Sequence, residues 1–105
     1  MVYDVVRDSR FDAEFLALPS YVRDECWHVL GALRRRPFVP GAGFRVERLK
    51  RPTNADAWMA HFYRNQYRLL YVVDGRLLIL FGVGLRPGFY RRLDRLRARP
   101  RKSVT

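Results

Sequence analysis

Two apolar runs, Tyr67 to Val73 and Arg76 to Val83, are separated by little more than Asp74-Gly75, and no other feature of the chain narrows its fold as much. Both runs are rich in β-branched and aromatic residues with few breakers, and Asp-Gly between such runs is a strong two-residue hairpin signal. Upstream, Ala57 to Tyr63 reads as a further strand, joined to the first run by a turn at Arg64-Asn65-Gln66. Arg45 to Leu49 reads as another, followed by a loop over Arg51 to Asp56. Short connections between consecutive strands dictate antiparallel pairing, so this half of the chain is expected to form a meander of about four strands.

The first third has a helical period instead. Tyr3 to Arg7 has strand composition, but Phe11, Phe15 and Leu18 recur on one helical face, behind a cap at Asp8 or Ser9. Val22, Cys26, Val29, Leu30 and Leu33 continue that period in a second helix, with Ser20 as its cap and Pro37 as its stop. Phe38 to Phe44 has the Pro and Gly content of a loop. Phe89 to Arg99 predicts a short basic helix, and about 97–105 a basic, flexible tail. The expected architecture is one α+β domain over residues 1–105: β-α-α, then the antiparallel meander with the helices packed on one sheet face, then the short C-terminal helix. The other sheet face is expected to stay free. Alternation does not choose between them, since Arg68 shares a side with Leu70 and Val72 while Leu69, Tyr71 and Val73 take the other.

A length of 105 residues leaves room for only one core. The single cysteine, Cys26, excludes an intrachain disulfide, fits a reducing compartment and reads as a buried small hydrophobe. No apolar run approaches the roughly 20 residues of a membrane helix, and the N-terminus lacks the apolar stretch of a secretory signal. A cytoplasmic protein with no membrane partner is expected. His28 and His61, the only histidines, have no ligand at metal-site spacing, and Gly41-Ala42-Gly43 lacks the Lys-Ser/Thr of a phosphate loop, so neither metal nor nucleotide cofactor is expected.

Charge points to a polyanion. The net charge is +11, and its distribution is lopsided. Residues 1–33 carry three Arg against six Asp or Glu, a net −3, whereas residues 34–105 carry eighteen cations against four anions, a net +14. Nineteen of the 21 cations are Arg, the planar donor suited to bidentate phosphate contacts. The second half also gathers His61, Tyr63, Arg64, Arg68, Arg86, Tyr90, Arg91 and Arg92. Cleavage of RNA through its own 2′-hydroxyl needs alignment, proton transfer and cations around a pentacoordinate phosphorane, with no metal. Arginines supply the cations; His61 titrates in the range useful for proton transfer, and Tyr90 suits base stacking or proton donation. Solvated rim residues would have the same composition.

Five segments carry a resemblance that spans nearly the whole chain. They are Phe11-Asp12-Ala13-Glu14-Phe15-Leu16-Ala17-Leu18-Pro19, Arg48-Leu49-Lys50, Trp58, Tyr67 to Asp74, and Val83-Gly84-Leu85-Arg86-Pro87-Gly88-Phe89-Tyr90-Arg91. In their order and spacing they resemble the RelE/ParE toxin superfamily, the toxin half of type II toxin–antitoxin modules. The resemblance implies a strand and a helical hairpin against a curved antiparallel sheet. RelE-like members are ribosome-dependent mRNA endoribonucleases, and ParE-like members poison DNA gyrase. The RelE-like branch implies catalytic roles for Arg68, at the scissile phosphate, for Arg86 and Tyr90, and for His61, which falls where some members place a lysine. RNA contacts are then expected from Arg48, Lys50, Tyr63, Arg64, Arg91 and Arg92. Met59 and Leu85 depart from the nuclease pattern, which often has charged or basic groups there. The alternatives are a ParE-like gyrase inhibitor and a catalytically degenerate binding homologue. The family also implies a small acidic antitoxin as partner, beside ribosome and mRNA, with the free toxin monomeric. Val22, Trp27 and Leu33 are candidates for the groove that an antitoxin segment would fill.

Overall fold

The computed structural model describes residues 2–49 and 56–88. Lys50, the predicted loop up to Ala55, Tyr90, Arg91, Arg92, the predicted C-terminal helix and the tail lie outside them. The described residues form β1 (Asp4–Arg7), α1 (Ser9–Leu16), α2 (Ser20–Leu33), β2 (Phe44–Arg48), β3 (Asp56–Phe62), β4 (Tyr67–Asp74) and β5 (Leu77–Leu85), then a 3-10 turn over Arg86–Gly88. Among these, no helix is long and apolar enough to cross a membrane.

The predicted meander is present: β2 to β5 are consecutive antiparallel neighbours. β1 then adds to the open side of β5 in parallel, giving the order β1-β5-β4-β3-β2. A parallel neighbour needs a long crossover, and here the helical pair and the rest of the meander provide it. The chain leaves β1, crosses one face as α1 and α2, starts the sheet again at its far edge and returns strand by strand.

Local signals set the helix ends, with two shifts. Asp8 is the N-cap of α1, its carboxylate accepting from the Arg10 amide at 2.9 Å. Ser20 is not the cap of α2 but its first helical residue; Pro19 takes the cap position without a side-chain hydrogen bond, its preset φ suiting a helix entrance. The helix stops at Leu33, ahead of Pro37. The β4–β5 connection also moves by one residue. Asp74 pairs with Leu77, so the two-residue loop is Gly75-Arg76, and Gly75 takes the positive φ of +60° that its first position requires.

Leu69, Tyr71 and Val73 of β4 face the helices, in a core with Phe11, Val22, Cys26, Val29, Leu33, Phe62, Leu78 and Leu80. Burial pushes the Cys26 thiol up to about 12, which leaves it an inert apolar filler. Tyr71 donates its hydroxyl to the Pro37 carbonyl at 2.6 Å, tying the loop after α2 to the middle of the sheet. The opposite face is not free as expected. Ala57, Met59, Leu70, Val72, Ile79 and Phe81 form a second buried apolar cluster there, with Val6, Leu49 and Leu77 packed against it. β4 and β5 are apolar on both sides because they are interior strands, and near-continuous apolar runs are the pattern of strands buried on both faces. A bulge at Phe81 breaks the β4–β5 register between Leu70 and Tyr71, and the Val83 amide beyond it donates to Glu14 on α1 at 3.0 Å.

Candidate functional site: a cationic row across the sheet

Strand register assembles the site from distant parts of the sequence. Arg45 on β2 stands opposite His61 on β3, His61 opposite Arg68 on β4, and Arg68 opposite Gly84 on β5. These four residues make one row on the face away from the helices, in steps of about 5 Å between strands. Arg86 follows Gly84 in the 3-10 turn, and its amide donates to the Gln66 carbonyl at 3.0 Å. The β3–β4 turn closes the same end of the sheet. Phe62 pairs with Tyr67, so the turn is Tyr63 to Gln66, and Tyr63, Arg64 and Asn65 all have positive φ, at 49°, 55° and 66°. Left-handed conformations cost non-glycine residues energy, and such strain persists only where surrounding contacts enforce it. Here Arg68 enforces it, donating from Nη1 to the carbonyls of Asn65 at 2.8 Å and Tyr67 at 3.2 Å. Arg45 Nη2 donates to the Asn65 side chain at 3.4 Å.

Arg68 is 5% exposed and His61 7%. Burial, with Arg86 and Arg45 close by, disfavours the charge on Arg68, and Glu47 works the other way. An arginine keeps its charge in proteins nonetheless. Cations held this close, one of them poorly hydrated, are preorganised for an anion that bridges them, which is the electrostatic requirement for stabilising a phosphorane. Burial also lowers the His61 pKa below its ordinary value; the hydrogen bond to Glu47 opposes this, while Arg68 and Arg45 reinforce it. His61 is therefore neutral at neutral pH, the state in which an imidazole can accept a proton. Glu47 Oε1 lies 2.9 Å from His61 Nε2.

Of the residues named from sequence, His61, Arg68 and Arg86 come together. Arg64 is exposed in the adjoining turn. Tyr63 and Arg48 go elsewhere. The Tyr63 ring packs on Tyr21 and Tyr67, at 5.4 and 6.0 Å between centroids, against the helix-side core. Arg48 pairs with Trp58, also on that side, lies 6.0 Å over its ring and makes an ion pair with Asp56 at 3.2 Å. Lys50, Tyr90, Arg91 and Arg92 are outside the described residues. Two members of the row were not foreseen, Arg45 and Glu47. Their alternation with Val46 was the available signal, since it puts both on one face of a strand. Glu47 also pairs directly with Met59, which brings a carboxylate to the place where the sequence lacks a charged group. Among the described residues no group of three or more His, Cys, Asp and Glu comes together as a metal site would need.

A second concavity lies on the other side of the domain, between β1, α1 and α2. It measures about 500 Å³ and is lined by Val5, Phe11, Phe15, Trp27, Leu30 and Leu80, with Arg7, Asp12 and Arg34 also contributing. Trp27 is 59% exposed, its ring edge-on to Phe15 at 5.3 Å, while Val22 and Leu33 are fully buried and belong to the core.

The fold has solved counterparts. A chain of the crystal structure of the archaeal RelE–RelB complex from Pyrococcus horikoshii OT3 superposes with a TM-score of 0.68 at 21% identity, over 84% of this chain and 99% of that one. The toxin–antitoxin complex RelBE2 from Mycobacterium tuberculosis gives 0.64 at 23% identity, over 82% and 100%. The E. coli toxin RelE in the free state, as a double arginine-to-alanine variant, gives 0.59 at 19%, over 91% and 99%. No protein-family model matches the sequence, and no curated protein matches it either.

Proposed function

We propose that this chain, which has the fold of the RelE toxins, is the toxin of a toxin–antitoxin pair and cuts mRNA on the ribosome without a metal ion. The observation that carries this is the row itself: three arginines and a neutral histidine on one sheet face, with a carboxylate on the histidine. In the reaction the 2′-oxygen attacks the adjacent phosphorus, the bond from phosphorus to the 5′-oxygen breaks, and a cyclic phosphate and a 5′-hydroxyl result. His61 takes the proton of the attacking hydroxyl. Arg68 and Arg86 hold the equatorial oxygens as negative charge builds on them. Tyr90 stacks on a base or supplies the proton for the leaving 5′-oxygen. The net +14 of residues 34–105 binds ribosomal RNA phosphates, an attraction that weakens steeply with salt.

The partner is an acidic antitoxin, by analogy with the RelE–RelB and RelBE2 complexes and by the charge of this chain. A segment of it that folds on binding would fill the apolar cleft beside Trp27 and neutralise the toxin by mass action.

The test adds folded, antitoxin-free protein to ribosomes programmed with a defined mRNA and maps 5′ ends, with naked mRNA as control. Cuts are expected on ribosomes only. Arg86→Ala, at an exposed position, should slow cutting by about 10²–10³-fold, and Arg68→Ala should abolish it. Absence of cuts from the wild type, with DNA breaks in the presence of gyrase instead, would move the assignment to gyrase poisoning.

A further inference from the structure

One polar atom of the row stands out: His61 Nδ1 is buried and has no hydrogen-bond partner, whereas Nε2 of the same ring is 2.9 Å from Glu47 Oε1. Buried polar side-chain atoms nearly always have a partner, and those that lack one are concentrated where a ligand or a reaction completes the set. A carboxylate can only accept, so the neutral ring carries its hydrogen on Nε2 and its lone pair on Nδ1. The charged groups around the ring come from every neighbouring element: Arg45 and Glu47 from β2, Arg68 from β4 and Arg86 from the turn after β5. Only Glu47 among them can hold a hydrogen on Nε2.

We infer that Glu47 is a positioning residue that locks His61 in the Nε2–H form, so that Nδ1 is the atom that accepts the proton of the 2′-hydroxyl. This rests on the ribonuclease reading above. The 2′-O–H proton moves to Nδ1, the oxygen's electron pair forms the bond to phosphorus, and the bond to the 5′-oxygen breaks with its electrons on that oxygen. The ring becomes an imidazolium whose Nε2–H still donates to the Glu47 carboxylate. That carboxylate balances the new charge beside Arg45 and Arg68, which would otherwise oppose it. Fixing the tautomer and orientation of a catalytic imidazole by a carboxylate on its far nitrogen is a general device, and replacing the carboxylate by an amide disables it because the amide accepts either tautomer.

Glu47 is exposed on its strand, so its variants should fold. Two measurements on the full chain test the inference. The first is the ¹⁵N spectrum of the imidazole nitrogens, assigned with His61→Gln, in wild type and Glu47→Gln. The wild type should show hydrogen on Nε2 and a free Nδ1, and Glu47→Gln a mixture. The second is the pH dependence of mRNA cutting on ribosomes. Glu47→Gln should cut about 10–100-fold more slowly, with its acidic limb moved to lower pH because the imidazolium has lost its counter-charge. Glu47→Asp should keep most of the rate. Hydrogen on Nδ1 in the wild type, or a Glu47→Gln enzyme unchanged in rate and pH profile, overturns the inference. A wild type that cuts no RNA overturns the ribonuclease reading and the base role with it, while the spectra still decide whether Glu47 sets the tautomer.

Discussion

Arg68 donates to the carbonyl oxygen of Asn65 at 2.8 Å, and Asn65 is the last of three consecutive residues in the left-handed region. The same guanidinium thus holds a strained turn in place and stands ready for an anion, so its structural and functional effects must be separated. Arg68→Ala leaves the turn carbonyl unpartnered and should lower stability by about 1–3 kcal/mol, partly offset by relief of repulsion from Arg45 and Arg86. The urea midpoint measures this. An unchanged midpoint would mean that the turn holds itself.

Arg64 sits in that turn with a φ of 55° and an exposed side chain. A left-handed conformation costs an L-residue about 1–2 kcal/mol, and glycine escapes that cost while losing roughly 0.5–1 kcal/mol of chain entropy. Arg64→Gly should therefore gain a few tenths to about 1 kcal/mol, and Arg64→Ala nothing, by the same denaturation assay. Equal effects of the two variants would show that the gain came from removing a cation.

His61 makes stability depend on pH in a defined window. Its folded pKa lies below the ordinary value near 6.5, so between the two the unfolded chain binds more protons than the folded one. Stability then rises with pH across that window and falls on acidification from about 6.5 down to the folded pKa. His61→Gln should flatten this stretch of the curve, measured as the melting temperature in buffers from pH 7.5 to 5. A wild-type curve with no slope there would indicate that the imidazole titrates normally in the folded protein.

Gly31 lies inside α2 and lines the cleft beside Trp27, and a Cβ added there meets nothing within 4 Å. Gly31→Ala should stabilise the domain by about 0.5–1 kcal/mol, the helix-propensity difference. It also removes space from the cleft. Calorimetric titration of the variant with the acidic partner should show weaker binding despite the greater stability, and unchanged affinity would place the partner elsewhere.

Periodicity made most elements legible. The helical spacing from Phe11 to Leu33 and the apolar runs from Ala57 onward located two helices and four meander strands to within a residue or two, because helix and strand formation depend on neighbours in the chain. The shifts occurred where one residue's backbone preference mattered. Gly75 was drawn to the first loop position by its positive φ, and Pro19, instead of Ser20, took the helix entrance. His61, Arg68 and Arg86 were identifiable because chemistry of that kind is uncommon in otherwise apolar strands.

Pairing was not legible, since it joins residues far apart in sequence. β1 has the composition of a strand wherever it docks, and only the closed core puts it parallel to β5. Alternation in Tyr67 to Val73 is compatible with either face being inward, and the packing of α1 and α2 on Leu69, Tyr71 and Val73 decided that Arg68 faces away from them. The same register sent Arg48 to the helix side and brought Glu47 to His61, fourteen residues away in the chain. The amino-acid order alone thus determined the elements, the excess of positive charge and the candidate cations, all of which are local or additive properties. The tertiary structure decided which of those cations share a row and which carboxylate meets the histidine, because strand register is set by burial of the whole sheet and a slip of one residue would reverse every side chain.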